Sequence, residues 1–157
     1  MRLNFLCPRH KEQLTTFPHQ ARDFWRRCLG QLSSEALVAT PTQVSMAGSS
    51  LQAAGLYFDE ADDLTDEDAQ DYAESALVLI RLLVKLDQRR LATVVLVGST
   101  AKLEQTMEKG VSRDAVTFAR RCLTIEGGEC VNDDPRSSRP RPAATSVTLL
   151  RPAVTMH

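Results

Sequence analysis

The stretch 65–87, TDEDAQDYAESALVLIRLLVKLD, constrains this chain more than any other. Apolar residues fall at Ala69, Tyr72, Ala73, Ala76, Leu77, Ile80, Leu83 and Val84, the i, i+3, i+4, i+7 recurrence of one helical face. From Ala76 onward the apolar character spreads to Val78, Leu79 and Leu86, off that stripe. A helix apolar almost all round must be covered on several sides, so this segment predicts a central helix with others packed around it. Its start is marked as well: Thr65 is a capping residue, and Asp66, Glu67 and Asp68 stand at the positive end of the helix dipole.

Before that helix, residues 1–17 read as an arm packed on the domain. Leu3, Phe5 and Leu6 need a surface to cover, and Pro8 is expected to interrupt any helix beginning there. Pro18 suits the first turn of a helix over 18–32. Ala21, Phe24, Trp25, Cys28, Leu29 and Leu32 form its apolar face, opposite Arg22, Asp23, Arg26 and Arg27. Ser33, Ser34 and Pro41 mark a connection, with a helical turn expected at 35–39. A further helix over 43–61 carries Ala47, Leu51, Ala54, Phe58 and Ala61 at alternating steps of four and three. Gly48 and Gly55 lie within it and cost about 1 kcal/mol each relative to Ala, which predicts close approach by a neighbour.

Segment 89–109 reads in two ways. Thr93, Val94, Val95 and Val97 favour a strand at 92–97 followed by a turn and a helix. A lone strand would leave its backbone groups unpaired, so one helix ending at Gly110 is the expectation. Ser112 then caps a last helix faced by Ala115, Phe118, Ala119, Cys122 and Leu123, with Gly127 and Gly128 as its end. Four of the seven prolines lie beyond, among Ser, Arg and Asn; segment 127–157 is expected to be a Pro/Arg/Ser-rich disordered tail, with extended structure at 146–150. The fold class is therefore all-α: about five antiparallel helices over 18–126.

A formal charge of −1 argues against a general nucleic-acid binder, which is usually clearly basic. The charge is nevertheless partitioned. Residues 1–30 carry six Arg or Lys against Glu12 and Asp23, residues 59–74 carry nine acids and no base, and residues 81–113 carry seven bases against three acids. Such alternation suits packed helices with charged outer faces. The four cysteines, Cys7, Cys28, Cys122 and Cys130, have no framework spacing. The opening MRLNFLCPRH falls far short of a signal-peptide apolar region, and no run approaches the ~20 residues that span a bilayer. A reduced, cytoplasmic protein without disulfides is the expectation.

Several motifs bear on chemistry. Cys7 and His10 form a C-x2-H pair that His19 and Cys28 complete to four zinc-compatible ligands, but in no standard finger spacing. The acidic segment 59–71 lacks the alternating ligands, central Gly and twelfth-position Glu of a calcium loop. The run Gly98-Ser99-Thr100-Ala101-Lys102 lacks the G-x4-G-K-[ST] pattern of a phosphate cradle. No nucleophile stands beside a base in a recognisable triad order. Metal, cofactor and catalytic residues are thus all read as none. The pairs Arg26–Arg27, Arg89–Arg90 and Arg120–Arg121 offer an alternative role on nucleic acid, and read first as solvated outer faces.

Ala54, Phe58 and Ala61 reproduce the small-x3-aromatic-x2-small spacing of the second helix of a tetratricopeptide unit, and Trp25, Leu29 and Gly30 are similar to its first-helix W…LG, displaced by one residue. The chain therefore resembles tetratricopeptide-repeat-like helical hairpin proteins at the level of architecture, over 18–126. No 34-residue period runs through it. The resemblance implies a scaffold that binds another protein in a groove between helices 18–32, 43–61 and 66–87. Phe24, Trp25, Tyr57 and Phe58 are the aromatics best suited to anchor that partner, and homodimerisation is a further expectation, since an open helical array leaves apolar edges.

Overall fold

The computed structural model describes residues 4–132. Its helices are α1 (Pro8–Thr16), α2 (Pro18–Ser34), α3 (Pro41–Glu60), α4 (Asp66–Lys85), α5 (Arg89–Gln105), α6 (Arg113–Cys122) and the short α7 (Gly128–Asn132). A 3-10 turn at Thr106–Lys109 follows α5, and a π-helical turn at Leu123–Gly127 joins α6 to α7. Among the described residues there is no strand, so the class is all-α. The expectations of disorder and of an extended segment at 146–150 concern residues outside those described.

The central position goes to α4. Every residue from Ser75 to Ile80 is buried, as are Leu82 and Leu83, because α3, α5, α6 and the π turn all pack on this helix. Its start is a full capping box: Thr65 Oγ1 accepts from the Asp68 N–H at 3.1 Å, and Asp68 Oδ2 accepts from the Thr65 N–H at 3.0 Å, satisfying two donors that a helix end otherwise leaves open. Segment 92–97 is helical within α5. The residues Ala92, Val95, Ser99 and Leu103 turn inward and Val94 and Val97 outward; burial on one helical face outweighs their β-branching.

Three local expectations give way. Pro8 opens α1 rather than interrupting a helix, because the first helical N–H has no partner to lose. No helical turn forms at 35–39. There the Gln43 side chain grips the connection, accepting from the Val38 N–H at 2.8 Å and donating to Ala36 O at 3.1 Å, and the residue before Pro41 is driven out of the α region. Thr40 caps α3 instead, accepting from the Gln43 N–H at 3.2 Å. Finally, Gly127 and Gly128 do not end the chain of helices. Gly127 is buried, and a Cβ on it would come within 2.9 Å of Leu96 and 3.4 Å of Ile80; the glycine serves close packing of the π turn. Gly110, by contrast, terminates its helix as expected, in the left-handed region at φ 97°.

Acidic residues of the 59–71 segment tie elements together. Asp66 accepts from the Ser112 backbone N–H at 2.8 Å and from its hydroxyl at 2.9 Å, locking the start of α4 to the start of α6. Asp59 pairs with Lys102 of α5. Lys109 donates to the carbonyls of Phe58 and Asp59 at 2.6 and 2.8 Å, closing the otherwise open carbonyl end of α3.

Candidate functional site

Aromatic residues from three helices meet in the core. Trp25 of α2 meets Phe58 of α3 edge-on, with centroids 5.6 Å apart, and Phe58 stacks on Tyr72 of α4 at 4.7 Å, geometries favoured by the ring quadrupoles. The Trp25 indole N–H donates to Ser75 Oγ at 2.7 Å, and the Ser75 hydroxyl donates in turn to Asp71 O at 2.9 Å. Burial raises the Tyr72 hydroxyl to about 12, against a hydrogen bond from Ser99 that lowers it. Of the four aromatics named as partner anchors, Trp25, Tyr57 and Phe58 are core residues. Only Phe24 stands half-buried at the surface.

Charge closes over this cluster. Asp68 is fully buried, and its Oδ1 accepts from Arg26 at 2.7 Å and Arg22 at 3.2 Å. Burial pushes the Asp68 carboxyl up, yet the Thr65 backbone N–H and the Arg26 guanidinium hold it below its ordinary value. Arg26 also lies 3.4 Å from Glu67 and 3.3 Å from Asp71, its guanidinium carbon 5.7 Å over the Trp25 ring. The basic start of the chain and its acidic middle thus neutralise each other across α2 and α4.

Each arginine pair is split in the same way, since neighbours in a helix point about 100° apart. Arg26 faces α4, Arg120 pairs with Glu104 at 2.7 Å, and Arg89 donates to Val131 O at 2.5 Å. Arg27, Arg90 and Arg121 remain on exposed outer faces.

Two clefts flank Phe24. One, of about 430 Å³, runs between α1 and α2 and includes Leu6, His10, Leu14, Phe24 and Arg27 in its wall. The other, of about 540 Å³, lies between α2 and α3 and is lined by Phe24, Cys28, Pro41, Met46 and Ser49 among others. The expected groove used α4 as a wall; the observed clefts use α1, α2 and α3, because α4 is buried behind them. The Phe5-Leu6 segment adjoins both: Leu6 lines the first cleft, and Phe5 is bonded to Ser49 of the second. The Phe5 and Leu6 backbone N–H groups both donate to Gln52 Oε1 at 2.9 Å, and the Ser49 hydroxyl donates to Phe5 O at 3.5 Å. The Phe5 ring sits where a Cβ on Gly48 would stand. Gly48 therefore carries the close approach that its place in a helix predicts. Gly55 has open space around it, with nothing within 4 Å of such a Cβ. Gln52 and Ser49 escaped sequence reasoning, since a polar residue on an otherwise apolar helix says nothing of which backbone it will grip.

The four zinc-compatible residues of the sequence do not come together. Cys7 Sγ lies 3.1 Å from His10 Nδ1, both exposed at the start of α1. Cys28 is buried on α2, where burial pushes its thiol up, and His19 is exposed. Among the described residues no group of three or more His, Cys, Asp or Glu is placed to hold a metal ion. The run 98–102 is continuous helix rather than a turn, with Ser99 buried and Lys102 paired to Asp59. No helix among the described residues is long and apolar enough to cross a membrane. No protein-family model, curated protein or solved structure matches this chain.

Proposed function

We propose that this chain is a non-enzymatic protein-recognition module, a cytoplasmic adaptor or anti-activator that holds a segment of a regulatory partner along the α1–α2–α3 face. The single observation that carries this reading is Phe24, a large half-buried aromatic that lines two clefts and, among the described residues, has no aromatic ring in contact with it. An aromatic anchor beside concave apolar surface is where binding energy concentrates. Trp25, Tyr57 and Phe58 contribute as the rigid floor beneath that face. The packing of α2 on α3 and of α4 on α5 is consistent with the tetratricopeptide-like array proposed from the sequence, a framework suited to displaying a groove.

The test is affinity capture from the native host with the full chain as bait, compared with Phe24→Asp. A charge placed on the anchor should reduce the recovered stoichiometric partner by about tenfold or more, while the helical circular dichroism is retained. Equal recovery by both baits would sink the reading.

A further inference from the structure

The segment Phe5-Leu6 is held on α3 in the manner of a bound ligand. Its two consecutive N–H groups converge on one acceptor, Gln52 Oε1, each at 2.9 Å. Its carbonyl takes the Ser49 hydroxyl. Its aromatic ring lies against bare backbone at Gly48, in space that any side chain there would fill. A mid-helix glycine is destabilising by about 1 kcal/mol relative to Ala, and here the vacancy is used by one ring. The segment is non-helical; Leu6 lines the first cleft, and Ser49, which donates to the Phe5 carbonyl, lines the second.

We propose that Gly48, Ser49 and Gln52 form a recognition notch for a short non-helical segment of a partner protein in which an aromatic residue is followed by an aliphatic one. The chain's own Phe5-Leu6 is the resident occupant, and the partner's segment takes its place. This rests on the protein-recognition reading and names the chemistry it recognises. Both positions must keep a free N–H, which excludes proline at either. The first must be flat enough to lie on Gly48.

A fluorescein-labelled synthetic peptide, RLNFLSPR, tests this on the full chain by anisotropy, with circular dichroism and Trp25 fluorescence confirming the fold of each variant. The resident arm lowers the apparent affinity by the fraction of time it occupies the notch. Phe5→Ala should therefore bind the peptide about tenfold or more tightly than the parent chain. Adding Gly48→Leu to Phe5→Ala should abolish that gain, and Gln52→Leu should do so independently. A peptide with proline in place of its leucine should bind roughly fivefold or more weakly. Equal binding by Phe5→Ala and the parent, or binding indifferent to Gly48→Leu and Gln52→Leu, would overturn the notch. A concentration-dependent dimer of the parent that Phe5→Ala abolishes would give the notch to the arm of a second copy, and so overturn the assignment to a separate partner. Peptide binding reads the notch alone, whereas capture through Phe24 reads the wider role, so each can fail without the other.

Discussion

Asp68 ties two helices together through one buried carboxylate. One carboxylate closes the capping box of α4 and also neutralises Arg22 and Arg26 from α2. Asp68→Ala removes a cap and leaves two guanidinium groups facing a buried void, which should lower stability by about 3 kcal/mol in urea denaturation. The same residue sets an acid limb. Its folded-state value lies below the ordinary 3.8, so its contribution is fully present above that pH and is lost as pH falls through the folded value. Asp71 beside it is pushed upward by burial, against Arg26, and acts in the opposite sense. The comparison is therefore between the parent and Asp68→Asn: stability profiles from pH 5 to pH 2 should converge toward the acid end, and parallel profiles would refute the role of the Asp68 charge.

Among the elements, the connection from α5 to α6 is the one whose geometry depends on a single backbone choice. Gly110 stands at φ 97°, a conformation an L side chain adopts only with strain. A Cβ there would also come within 3.4 Å of Asp63 Oδ1. Its neighbours are committed on both sides: the Leu64 N–H donates to Lys109 O at 2.9 Å, and Ser112 is held by Asp66. Gly110→Ala should lower the thermal midpoint, with a loss of about 1 kcal/mol, whereas Gly55→Ala, in open space on α3, should raise stability by up to about 1 kcal/mol. Calorimetry on the two variants separates a glycine required by conformation from one that its helix merely tolerates.

For the molecule as a whole, α4 is the hub and α1 the periphery. Helix α4 packs on α3, α5, α6 and the π turn, while α1 leans on α2 and α3. Amides of Leu79, Ile80 and Leu82 in α4 should therefore exchange hydrogen only through global unfolding, and those of α1 through a local opening of lower free energy. Exchange followed by mass spectrometry checks this; α1 amides as slow as those of α4 would contradict it.

The sequence by itself determined the helices α2 to α6 and which one lies at the centre, but not α1 behind Pro8. Those depend on local order: the 3.6-residue recurrence around Ile80, the Thr65 cap and the left-handed stop at Gly110 are each written within a few neighbouring residues. It also marked Gly48 as a place of close approach, and with it Gly55, where the structure has open space. It did not decide which charges meet or which aromatics stay outside. Phe24 and Trp25 are neighbours with the same propensity, yet one floors the core and the other faces two clefts, because helix rotation is settled by packing against α3 and α4 rather than by composition. Gln52 gripping Phe5, 47 residues away, and Asp68 gripping Arg26, 42 residues away, exist only once the helices have stacked. A hydrogen bond acts over about 3 Å of space and is blind to distance along the chain, so the ties between elements belong to the tertiary structure alone.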